Sequence, residues 1–333
     1  MGHETAPPDA LEAGVRTFVD QVMAETARLS GAGPVTLADA RRIAETVRLP
    51  WRAGGPVMAR TTEHMASADG REVRVRIYQP EGATGGALVY LHGGGWTLFS
   101  LDTHDRLMRE YAARSGLAVV GVDYSLSPEA RFPVAVEETV AVTAWLRWEG
   151  PALGIDPARL VLGGDSAGAN LALAAALALR DAGAAPPVRG LLLNYGAYDA
   201  GVSDEAARRL GAPGAMLTAA EMAAFWANYL RGPEDAADPL ACPLKADLTG
   251  LPPVFLAAAE CDVLAEQSAA LAGRLAAAGV AAGLRVYPGA AHSFLEAVSI
   301  SPLADRAFDE AAAWLKGVAR SVDPPPGFAG PPP

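Results

Sequence analysis

Gly164-Asp165-Ser166-Ala167-Gly168 follows the short apolar run Leu160-Val161-Leu162 and leads into an alanine-rich, helix-forming stretch. An apolar strand that enters G-x-S-x-G and then a helix sets the serine on a sharp turn. Its Oγ is exposed there, with the next backbone N–H aimed at the same space. The flanking glycines belong to that shape, because a Cβ at either place would collide with the neighbouring strand or helix. An upstream companion, His92-Gly93-Gly94-Gly95-Trp96, comes directly after the strand-like Ala87-Leu88-Val89-Tyr90-Leu91. The two motifs in this order predict a serine hydrolase with Ser166 as its nucleophile.

A serine hydroxyl is unreactive until a base takes its proton, and histidine is the usual base. In this strand–turn–helix arrangement the acid and then the histidine follow the serine along the chain. Of five histidines only His292 lies beyond Ser166, in Gly289-Ala290-Ala291-His292-Ser293-Phe294 just past the strand-like Leu284–Pro288. Asp262 follows the buried-type run Val254–Ala259 and is the expected acid. Glu260 and Glu266 are its nearest competitors, and Asp199, after Leu191–Asn194, is a more distant one. Glu266 is placed in the first turn of the following helix, where a carboxylate suits the dipole.

Backbone N–H groups of a glycine run approach an oxyanion closely because no side chain obstructs them. Gly94 and Gly95 are the expected donors with Ala167, and Gly93 is the alternative, better suited to supplying the turn. His92 either fixes this loop by hydrogen bonding or is a structural histidine. Trp96 anchors the far end of the loop.

Near-continuous apolar runs at Ala87–Leu91, Leu117–Val122, Leu160–Leu162, Gly190–Leu193 and Pro253–Ala258 alternate with helical patterns near 103–115, 133–149, 167–182 and 263–279. That alternation describes a mostly parallel sheet covered on both faces. Such sheets bind ligands beyond the carboxyl ends of their strands, where each candidate catalytic residue falls. Val73, Val75 and Ile77 alternate with arginines, as in a half-exposed strand near a sheet edge. At the N-terminus Leu11, Val15, Phe18, Val19, Val22 and Met23 share one helical face over about 9–29. A second helix is expected from Thr36, its cap, to just before Pro50. These helices read as packing over the protein rather than as a membrane-surface anchor, since their polar face mixes both signs of charge. The interval from about 200 to 245 holds one helix-like run, Ala219–Leu230, amid Gly, Pro and Asp. It is expected to cover the site together with residues 1–50.

The chain has 333 residues, 51% of them hydrophobic and 20% charged, and a net charge of −11. The composition is that of a globular protein, and the charge argues against nucleic acid or an anionic membrane as partner. Cys242 and Cys261 are too few for a disulfide framework and lack metal-site spacing. Met1–Pro8 shows no signal-peptide pattern, the alanine-rich runs are too short to span a bilayer, and a cytoplasmic location is expected. The composition is compatible with a homo-oligomer and sets no oligomeric state. The stretch 323–333 is proline-rich and reads as a disordered tail.

His92–Trp96, Tyr124–Pro133 with its Ser-Pro-Glu-Ala-Arg-Phe-Pro segment, Gly164–Gly168, Asp262-Val263-Leu264 and His292-Ser293-Phe294 together resemble the hormone-sensitive-lipase-like family of bacterial esterases. Leu101-Asp102-Thr103-His104-Asp105-Arg106 is closest to its acetyl esterase branch, and the likeness covers about 60–318. The resemblance implies an α/β-hydrolase fold: a mostly parallel central sheet, helices on both faces and a helical cap. Residues 51–322 would form the catalytic domain, with 1–50 and about 200–245 as the cap. It also implies neither metal nor cofactor, a small-molecule ester as substrate, and a short acyl group from acetyl to about hexanoyl. Its nucleophile, acid and base correspond to Ser166, Asp262 and His292, and its oxyanion donors to the glycine loop and Ala167. The chain departs from the family pattern at Val263 and Glu266, where many members carry Pro and Asp, and at Ser293, where many carry Gly or Ala.

Two other readings share these residues. An amidase or peptidase would use the same triad, yet no charged pocket for a peptide terminus is evident. A ligand-binding protein that had lost catalysis would typically lack the histidine, which is present here.

Overall fold

The computed structural model describes residues 11–68, 70–184 and 188–320. The expectations for Met1–Pro8 and for the proline-rich stretch 323–333 lie outside the described residues.

Eight strands form one sheet in the order β1-β2-β4-β3-β5-β6-β7-β8. They are β1 (Arg60–Ala68), β2 (Arg71–Gln79), β3 (Ala87–Leu91), β4 (Ala118–Val122), β5 (Leu160–Asp165), β6 (Gly190–Asn194), β7 (Val254–Cys261) and β8 (Ala282–Ala291). β1 and β2 run antiparallel to their neighbours, and β3 to β8 are mutually parallel. Parallel strands need crossovers and bury both faces, which is why β3 to β6 are apolar almost throughout. Alternate residues enter opposite cores. Ala87, Val89 and Leu91 meet α4 (Val134–Glu149), α5 (Ala167–Asp181) and α8 (Ala265–Ala277). Leu88 and Tyr90 face the core shared with α1 (Ala13–Ser30), α2 (Leu37–Arg52), α3 (Asp105–Ser115) and α9 (Pro302–Arg320).

Two elements go beyond the pattern expected from sequence. β1 reads Arg-Thr-Thr-Glu-His-Met-Ala-Ser-Ala, with too little apolar alternation to announce a strand, and it is the true edge beside β2. α9 closes the fold against α3 and buries Leu303, Phe308, Trp314, Leu315 and Val318.

The N-terminal pair forms as expected, with two corrections. The Thr36 hydroxyl accepts the Asp39 N–H at 3.1 Å and caps α2. α2 does not stop before Pro50 but carries it in its last turn, to Arg52. The proline forfeits one backbone bond there, and Trp51 stacks edge-on against Phe18 at 4.8 Å, which holds that turn down. Met23 is not on the buried face of α1: it is 36% exposed. Between β6 and β7 lie α6 (Asp204–Leu210) and α7 (Ala219–Tyr229), the latter opened by a capping box of Thr218 and Glu221. No helix among the described residues is long and apolar enough to cross a membrane.

Candidate active site

Ser166 stands between the last residue of β5 and the first of α5, at φ 53° and ψ −119°. That backbone is costly for a non-glycine residue and persists only where the surroundings impose it. They do so through two glycines: a Cβ on Gly164 or Gly168 would run into the Leu91 carbonyl of neighbouring β3. The Ser166 N–H is held by the Asn194 carbonyl at 2.9 Å.

β7 ends at Cys261 and β8 at Ala291, so the next residues, Asp262 and His292, emerge at the same sheet edge as Ser166. Ser166 Oγ lies 3.0 Å from His292 Nε2, and His292 Nδ1 lies 2.7 Å from Asp262 Oδ2. With the imidazole neutral, Nδ1–H donates to Asp262 and the serine hydroxyl donates to Nε2. Asp262 Oδ1 accepts the Leu264 N–H at 3.1 Å, which fixes the carboxylate plane. All three residues are buried. Burial alone would depress the His292 pKa, but the charge and hydrogen bond of Asp262 outweigh it and raise the imidazole above its ordinary value.

The competing carboxylates are engaged elsewhere. Glu260 accepts the Gly289 N–H at 2.9 Å. Glu266 holds the Ser203 N–H and hydroxyl at 2.9 and 2.7 Å, and Asp199 pairs with Lys245 at 3.0 Å. Burial keeps the Cys261 thiol above its usual range and pushes that of Cys242 to about 11, so neither is a thiolate at neutral pH.

The glycine loop faces Ser166 across one cavity of about 340 Å³, which Gly94, Gly95, Ser166 and His292 all line. Gly94 and Gly95 have φ of +107° and +58°, and a Cβ on Gly95 would enter the Phe225 ring. Gly93, the alternative donor, is corrected by the structure: its N–H turns away to Asp165 Oδ1 at 3.2 Å. Asp165 also accepts the Tyr90 hydroxyl at 2.7 Å, so this one carboxylate joins the elbow to the loop. His92 does secure the loop, its Nδ1 donating to the Gly93 carbonyl at 2.7 Å while its ring stacks on Tyr124 at 4.4 Å. Burial and nearby His104 push His92 down to about 3, so it stays neutral. Trp96 anchors the far end by stacking on Tyr229 at 4.3 Å.

Helices α1 and α2 and the segment around α7 supply the remaining walls, among them Val22, Ile43, Met216, Met222 and Phe225. Phe18 packs on Trp51, and Trp226 and Tyr229 pack on Trp96.

Residues 88–296 match the α/β-hydrolase fold family. Among solved structures, a hyperthermophilic esterase from the archaeon Pyrobaculum calidifontis is 34% identical, over 93% of this chain and 99% of its own, with a TM-score of 0.87. A thermophilic and thermostable carboxylesterase cloned from a metagenomic library is 33% identical, over 86% and 99%, at 0.82. A thermostable esterase from Pseudomonas putida is 30% identical, over 96% and 100%, at 0.84. The chain belongs to the hormone-sensitive-lipase-like family of α/β-hydrolase carboxylesterases. No finer branch is distinguished by these likenesses.

In this carboxylesterase, sequence reasoning assigned no role to His104, Tyr90 or Arg48. His104 Nε2 faces Asp165 Oδ2 at 3.4 Å in full burial. Burial lowers the His104 pKa and raises that of Asp165, and in both cases the partner's charge reverses the direction, favouring the ion pair. Its sequence signal was position alone, within the Leu101–Arg106 stretch that carries the family likeness. Arg48 and Tyr90 gave none, because which way a helix face or strand residue points depends on packing from elsewhere in the chain.

Proposed function

We propose that this carboxylesterase cleaves short-chain acyl esters, acetyl to about hexanoyl, through an acyl-enzyme on Ser166. The observation that carries the reading is the Ser166–His292–Asp262 relay opening onto a small, mostly apolar cavity beside the glycine loop. Ser166 Oγ adds to the ester carbonyl as its proton passes to His292 Nε2. Asp262 holds the imidazole tautomer and stabilises the imidazolium. The N–H groups of Gly94, Gly95 and Ala167 take the developing oxyanion. His292 then protonates the departing alkoxide, and a water deprotonated by the same imidazole releases the acid. Helices α1, α2 and the region of α6 and α7 act as the cap.

A cavity of about 340 Å³ is at the small end of ligand sites. Each extra methylene favours binding by about 0.8 kcal/mol while space remains, then costs overpacking. On p-nitrophenyl esters from acetate to palmitate, activity is expected to peak at or below about hexanoyl and collapse by dodecanoyl, without interfacial activation on emulsified triglyceride. A monotonic rise through palmitoyl would replace the short-acyl reading with a lipase. Ser166→Ala is expected to lower kcat by several orders of magnitude, on the order of 10⁶. Pure, folded protein retaining a few per cent of activity would remove Ser166 from the mechanism, and faster turnover of anilides than of esters would favour the amidase.

A further inference from the structure

The cavity over Ser166 has an arginine in its wall. Arg48, on α2, is only 7% exposed through its side chain and lines the same cavity as Ser166, His292, Gly94 and Gly95. Its Nε donates to Glu296 Oε2 at 2.6 Å, the guanidinium's only hydrogen bond among the described residues. A guanidinium carries five N–H donors in a rigid fork. Four therefore remain on the two terminal nitrogens with no acceptor among the described residues. The ring of Phe99 lies 4.9 Å from the guanidinium carbon and that of Phe18 lies 5.7 Å away, so two aromatic rings flank it. The two terminal nitrogens keep contact with solvent in the cavity, so a ligand acceptor can reach them, and a fork that served only to anchor α2 would find protein acceptors there too.

We infer that Arg48 forms an acceptor subsite: this esterase prefers esters that carry a second, uncharged oxygen acceptor, such as another ester carbonyl, on the part lodged beneath α2. The inference rests on the short-acyl reading above. Charge decides between a neutral acceptor and a carboxylate. Glu296 already balances Arg48, and Glu221, which also lines the cavity, is turned to its own helix cap at Thr218. An incoming carboxylate would leave a net negative charge beside the largely buried Glu296 carboxylate, whereas a carbonyl accepts from the fork without one.

Two length-matched pairs present the acceptor from either side of the scissile bond. They are p-nitrophenyl methyl succinate against p-nitrophenyl hexanoate, and methyl 3-acetoxypropanoate against pentyl acetate. The readout is the kcat/KM ratio within each pair, compared between wild type and variant so that intrinsic reactivity cancels. The double variant R48M/E296Q, which leaves no unpaired buried charge, is expected to lower the ratio about tenfold in at least one pair, the scale of one charge-assisted hydrogen bond. Ratios unchanged within about twofold in both pairs overturn the subsite. If the double variant does not fold, R48K keeps the charge facing Glu296 and loses the fork. An unchanged ratio in R48K then overturns it equally. p-Nitrophenyl hemisuccinate is the anionic arm, and an Arg48-dependent preference for it over the methyl ester overturns the neutral-acceptor assignment. Binding of dimethyl succinate to the Ser166→Ala protein, followed by ligand-observed NMR, needs no catalysis. Affinity is expected to weaken about tenfold when R48M/E296Q is added, and equal affinity overturns the subsite even if the role of Ser166 fails.

Discussion

Asp262 Oδ2 at 2.7 Å from His292 Nδ1 makes the acid a question of reach, and mutation can test it directly. Asp262→Asn is expected to keep the fold and lower kcat by about 10⁴, because an amide in that place favours the wrong imidazole tautomer. Glu266→Gln removes only an acceptor for Ser203 and is expected to cost little by comparison. The reverse ranking would relocate the acid. The raised His292 pKa sets a pH dependence with a definite sign. The base works only when neutral, so kcat/KM falls as pH drops through that pKa. The midpoint of the acid limb is expected above the ordinary histidine value of about 6.5. A kcat/KM profile between pH 4 and 9 checks it, and a midpoint below the ordinary value would contradict the Asp262 contact. At this scale the serine and the histidine were legible in the amino-acid sequence, and Asp262 was the first of several candidate carboxylates. Chain order and strand ends constrain such residues, and both are written locally.

At the scale of elements, most strands and crossover helices were legible because buried parallel strands leave uninterrupted apolar runs. β1 was not, since an edge strand is free to be polar, and Pro50 misled because a proline in a last turn forfeits little. How α2 is attached was also invisible. Arg41 donates from Nε to the Thr97 carbonyl at 2.9 Å, from Nη2 to the Ser127 carbonyl at 2.8 Å, and to both oxygens of Glu129. It thereby ties α2 to the end of the glycine loop. The same contact holds the Glu129 carboxyl down at about 2. Arg41→Ala is expected to loosen α2 over the cavity, raising KM for esters more than it lowers kcat. Faster proteolysis within residues 30–55 should accompany it. A kcat loss with KM unchanged would mean that Arg41 acts on the oxyanion loop instead.

For the molecule as a whole, stability rests on two cores divided by the sheet, and α9 is the largest cover on one side. Phe308 is fully buried there, packed against Tyr111 at 4.7 Å. Phe308→Ala is expected to cost about 3–5 kcal/mol, read as a lower urea midpoint at unchanged slope. A loss near zero would mean that α9 is not part of the cooperative unit. The chemistry and the fold class were already specified along the chain, because G-x-S-x-G, the triple glycine and the downstream histidine are short-range patterns with one stereochemical use. Folding in three dimensions was needed to decide which carboxylate reaches His292, which glycine N–H turns away to Asp165, and that Arg48 enters the cavity wall. Each of these depends on where residues tens to hundreds of positions apart come to rest. That placement is set by packing across the sheet, which no local pattern records.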